Sequence, residues 1–174
     1  MLDFGSSILV ANNLGGQGPV LSDPPYLEYI LAQDVLPFEI CLRITNTSTY
    51  YPSFNPGGGV TFNGLSGDFG IINVLADSAV DLKFGFFDKA TDMPVVLPFF
   101  EIIWFDFDEH ISGGRVETLV AENTFEAYFT TDTTTVTVTQ GVDSTSFSAG
   151  VPGGLADNPM DANNLTEEQE DKAV

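Results

Sequence analysis

The segment Asp106-Phe107-Asp108-Glu109-His110 gathers the densest set of chemically capable side chains in the chain. On an extended backbone Asp106 and Asp108 project to the same side. Three carboxylates within four residues could offer Ca2+ the hard oxygen ligands it requires, and the ion would relieve their repulsion. Backbone carbonyls would have to complete the shell, and the loop Asn13–Gly18 is rich in them. The expected ligand set is therefore Asp106, Asp108, Glu109 and Asn13. The spacing is not that of an EF-hand, so a solvated acidic turn is the competing reading.

Carboxylates can also catalyse. Glycoside hydrolysis needs two acids at a defined separation, and Glu101, Asp106, Asp108, Glu117 and Glu126 supply candidates. In a chain with 25 acidic residues some pair always suits, so this pattern carries no weight alone. His110 is the sole histidine, so any histidine-based zinc site or serine triad would have to use it. No serine sits in a Gly-x-Ser-x-Gly elbow. Gly57-Gly58-Gly59 and Asn13-Leu14-Gly15-Gly16 lack the Lys-Ser/Thr that a phosphate loop needs. No enzyme is expected.

Aromatic side chains offer a different chemistry, stacking on sugar rings. Tyr50 and Tyr51, beside a proline, are the surface candidates. Trp104 lies in the apolar run Ile102-Ile103-Trp104-Phe105 and reads as core. Asn46-Thr47-Ser48 and Asn164-Leu165-Thr166 are glycosylation sequons, usable at Asn46 and Asn164 outside the cell. Cys41 is the lone cysteine and reads as a buried, inert thiol.

Strands must position these groups. Leu2, Phe4, Ile8 and Val10 fall at even positions, which predicts a half-buried strand with those side chains on its inner face. Residues 38–46 alternate, with Phe38, Ile40, Leu42 and Ile44 opposite Glu39, Arg43 and Thr45. Val80, Leu82, Phe84 and Phe86 alternate likewise. Further strands are expected at 26–31, 69–74, 115–121, 125–130, 133–139 and 145–149. The most apolar segment, 95–107, reads as a central strand bent near Pro98. Residues 48–60 read as loop. Thr166-Glu167-Glu168-Gln169 fits a capping box and predicts a short helix over 167–173. Many strands without crossover helices point to an antiparallel jelly-roll-type β-sandwich over 1–150. Residues 151–174 form a C-terminal loop and helix, a tail rather than a second domain.

Charge narrows the partners. Twenty-five acidic residues against five basic give a net charge of −20. Phosphate backbones and anionic membrane surfaces repel such a chain. No stretch is apolar enough to span a bilayer as a helix, and the N-terminus lacks the pattern of a signal peptide.

Four motifs in order carry a resemblance: Asn12-Asn13-Leu14-Gly15-Gly16-Gln17-Gly18-Pro19, Asn63-Gly64-Leu65-Ser66-Gly67-Asp68-Phe69-Gly70, Phe105-Asp106-Phe107-Asp108-Glu109, and Ala156-Asp157-Asn158-Pro159-Met160-Asp161 leading into Leu165–Gln169. In this the chain resembles a large group of secreted jelly-roll, lectin-like β-sandwich proteins from algae of the dinoflagellate type. The resemblance implies an extracellular or cell-surface protein without established enzyme activity. It also implies that the Asn-Leu-Gly-Gly loop and the Asp-x-Asp-Glu turn lie near each other. Two functions fit. One is a structural subunit whose partners are copies of itself, built into a fibril or coat by exchange of the N-terminal strand. The other is a calcium-dependent carbohydrate-binding module using Tyr50 and Tyr51. Whether residues 2–10 pair within the chain or with a neighbour is the question that separates them.

Overall fold

The computed structural model describes residues 3–32, 36–53, 63–154 and 158–174. Leu2, Pro56, Gly57-Gly58-Gly59 and Ala156-Asp157, which entered the sequence expectations, lie outside the described residues. The described chain is all-β and antiparallel, with one short helix. It divides by contacts into two compact units, residues 1–100 and 101–174.

The first unit is built on a four-stranded sheet of β1 (Asp3–Asn12), β2 (Leu27–Ala32), β3 (Ile40–Asn46) and β6 (Leu82–Asp88), in that spatial order. A small hairpin, β4 (Gly64–Ser66) with β5 (Phe69–Ile71), accompanies it. The alternation read from sequence holds in β3 and β6. Leu42 and Ile44 enter a core with Leu14, Leu27, Tyr29, Leu31 and Tyr50, while Val80, Leu82, Phe84 and Phe86 pack against it. On the opposite face, Arg43 stands across from Glu28 in the β2–β3 register. Its guanidinium reaches Glu28 Oε2 and Asp92 Oδ1, each at 2.6 Å, and lies over the rings of Tyr26 and Phe87. Cys41 is buried, and burial pushes its thiol up to about 11.

In β1 the expected face is only half right. Its register with β2 slips between Asp3 and Ile8 and again between Leu9 and Ala11. A bulge inserts residues on one strand and changes which side chains point inward. Phe4 and Leu9 therefore pack on the core, whereas Ile8 is 60% exposed and Val10 36%. Phe4 also meets the Tyr29 ring edge-on at 5.1 Å.

In the second unit β7 (Thr118–Glu122) and β8 (Thr137–Gln140) flank β9 (Ser144–Ser148). Phe107, Val136, Phe147 and Ala149 form its core, with Trp104, Leu119, Val138 and Val174 against them. The C-terminal segment read as a tail packs within this unit. The helix α1 (Glu167–Asp171) carries the expected capping box between Thr166 and Gln169. Its last residue is anchored: the Asp171 carboxylate accepts from the Thr131 and Thr133 hydroxyls at 2.5 and 2.7 Å. Val174 and Trp104 then exchange two backbone hydrogen bonds.

Two expected strands do not form. Residues 125–130 are irregular, with Tyr128 packed edge-on against Phe147. Residues 95–107 contain no strand either; Val96 is 92% and Phe99 68% exposed. Pro94 and Pro98 lack the N–H that a central ladder needs, so an apolar run here does not make a buried strand. Pairing is by isolated contacts: a bridge between Pro94 and Phe87 beside Val95 N–H donating to Phe86 O, and further along the Trp104–Val174 and Phe107–Lys172 backbone bonds.

Candidate functional site

The acidic segment singled out in the sequence lies in the second unit, and a cation meets it there. Backbone register brings the two together: Phe107 N–H donates to Lys172 O at 3.3 Å, next to the Trp104–Val174 pair. Lys172 Nζ lies 2.9 Å from Asp108 Oδ1 and 3.7 Å from Glu168 Oε1. The lysine side chain is 2% exposed and the Asp108 side chain 20%. An ammonium this deeply buried is tolerated only when paired.

Glycine shapes the other side of the carboxylate. A Cβ on Gly153 would fall 1.7 Å from Asp108 Oδ1 and 1.9 Å from its Cγ, so only a glycine lets the backbone roof this group. That backbone is held in place by Glu109 N–H donating to Val151 O and Gly153 N–H donating to Glu109 O.

Glu117 completes the cluster. Its N–H donates to Asp108 O at 3.0 Å, and its carboxylate accepts the Asp108 N–H. Part of Glu117 stays open to solvent. Packing on its other side strips water from the carboxylate, and the charges of Asp106 and Asp108 add to this. The carboxyl is pushed up to about 7. Asp106 takes a left-handed backbone conformation, φ 70°, which aspartate tolerates better than most residues. The Asn158 side-chain amide stands 3.1 Å from Asp106 Oδ1 and 3.0 Å from Gly154 O, placed to donate to both.

The remaining expected site residues are distributed differently. Asn13 belongs to the first unit and serves its own loop: its Oδ1 accepts from Gly18 N–H at 2.8 Å and its Nδ2 donates to Asp23 O at 2.6 Å. Asp108 Oδ1 and Asn13 Oδ1 thus each accept from a protein donor. Among the described residues no group of three or more His, Cys, Asp or Glu is arranged to hold a metal ion.

Tyr50 is not the surface ring expected. It is buried, and its hydroxyl donates to Asn73 O at 2.5 Å while accepting from Asn63 Nδ2 at 2.9 Å. Its neighbour Tyr51 is exposed. Asn46 ends β3 with its Nδ2 donating to Ser48 O, and Asn164 stands exposed before α1. His110 is exposed, its Nδ1 2.7 Å from Ser112 Oγ.

No family model matches the chain, and neither a curated protein nor a solved structure matches it.

Sequence reasoning found Asp106, Asp108 and Glu109 but missed Lys172 and Gly153. A signal for Lys172 existed. With five cations among 25 acids, each cation has a surplus of partners, and Lys172 stands at the C-cap of the short helix beside the second unit's core.

Proposed function

We propose that this protein is a non-enzymatic structural subunit of an extracellular fibril or coat, a jelly-roll-type sandwich whose partners are copies of itself. The observation that carries the proposal is the state of β1. It stands at one end of its sheet, with Ile8 and Val10 exposed. In the single chain it pairs with β2, at five register positions along ten residues. By comparison β3 and β6 match at seven positions along seven. β1 therefore gives up the fewest ladder contacts per residue if it leaves its own sheet.

An edge strand with apolar outward side chains is a template for another chain. Exchange of β1 between identical copies would restore the Phe4 and Leu9 contacts in each recipient. Head-to-tail exchange does not close, and so extends into filaments. The charge of −20 would limit lateral clumping of such filaments. Strand exchange of this kind does not require calcium. Electron microscopy of the purified chain tests it. Filaments or coat-like sheets are expected, and a field of isolated particles at every concentration would overturn it.

A carbohydrate-binding reading has one observation in its favour, the exposed ring of Tyr51. Glycan-array binding that is lost on Tyr51→Ala would select it.

A further inference from the structure

We propose that Lys172 and Asp108 join in a spontaneous intramolecular amide bond. The ammonium and carboxylate are already in contact at 2.9 Å, and the lysine side chain is almost wholly excluded from water. Fixing two reactants in contact replaces a bimolecular encounter with an intramolecular step. The ammonium is shielded from solvent and faces this carboxylate directly.

The step balances without any co-reactant. Lys172 gives a proton to the Asp108 oxygen it touches, and the freed nitrogen lone pair attacks Cγ of Asp108. The C–N bond forms and one C–O bond breaks, its electron pair leaving on oxygen. Of the three ammonium protons, one stays on the amide nitrogen. Two depart with the oxygen as water. Charge is zero for the pair before and after, and nothing is oxidised or reduced.

Three contacts equip the site. Glu117 is fixed to Asp108 by hydrogen bonds in both directions. The Gly153 backbone covers the carboxylate on one side. The Phe107–Lys172 and Trp104–Val174 backbone pairs hold the two segments in register. The product would clamp the end of α1 to the segment before β7. This proposal does not depend on self-association, and each can fail without the other.

Intact mass spectrometry of the full chain under denaturing conditions tests it, with peptide mapping. The folded protein is expected to weigh one water less than its sequence, with a branched peptide joining residues 108 and 172. Lys172→Ala should restore the full mass. Gly153→Ala, which displaces the carboxylate, should reduce linkage. A folded wild-type chain at full sequence mass would overturn the proposal, as would a lost water mapping to any other residue.

Discussion

Lys172 and Asp108 are 64 residues apart in sequence, and their side chains meet at 2.9 Å in the interior of the second unit. The burial is unequal, 2% exposure against 20%. Removing either partner should therefore have unequal consequences.

Asp108→Ala takes the carboxylate at 2.9 Å from a buried ammonium, a loss that in such sites costs about 3–5 kcal/mol. Lys172→Met replaces the cation with an apolar side chain of similar length and leaves a carboxylate that reaches water. Both variants lack any link between the two positions, so their comparison isolates the effect of keeping the buried cation without its nearest carboxylate. Urea unfolding should find Asp108→Ala clearly the less stable. Equal midpoints would contradict the burial described.

Glu117 sets a pH dependence whose sign follows from its raised carboxyl. The folded chain holds this proton up to about 7, against an ordinary 4.5. Its contribution to stability is complete below the ordinary value and disappears as pH rises through the folded one. The groups facing it are Asp106 and Asp108. Glu117→Gln should flatten the melting temperature across that window. An unchanged slope would show that Glu117 does not titrate there.

Asp171 acts in the opposite sense. Hydrogen bonds from Thr131 and Thr133 hold its carboxyl below the ordinary 3.8. This contribution is present above that value and is lost as pH falls through the lower, folded one. Asp171→Ala should loosen α1, read as faster amide exchange over residues 167–174 with β7–β9 still protected. Uniform protection would count against this anchor.

Tyr29 is fully buried, and its hydroxyl donates to Gly64 O at 2.9 Å. Tyr29→Phe removes that bond, for which about 0.5–1.5 kcal/mol of stability should be lost in denaturant unfolding. A neutral result would mean that the bond adds no net stability.

Legibility in the sequence followed the range of the forces involved. Leu42, Ile44, Phe84 and Phe86 were readable because period-two alternation is local and uninterrupted there. The capping box at Thr166 was readable for the same reason. The inward face of β1 was not, because bulges between Asp3 and Ala11 shift its phase and depend on pairing with β2. Residues 95–107 misled because hydrophobicity without alternation does not separate a strand from an irregular segment. Pro94 and Pro98 were the contrary signals. At the candidate site the carboxylates of Asp106, Asp108 and Glu109 stood out as a cluster. Their consequence did not, since the partner Lys172 and the close approach of Gly153 arise from tertiary register. Tyr50 and Tyr51 are adjacent in sequence and opposite in burial, which only the packed chain decides.

Self-association through β1 is tested most directly by light scattering over a range of concentrations, on the wild-type chain and on Ile8→Lys. The wild-type mass should climb above that of one chain as concentration rises, and Ile8→Lys, folded by circular dichroism, should stay at one chain. A wild-type protein that remains a single chain throughout, or an Ile8→Lys variant that associates as readily, would contradict the proposal.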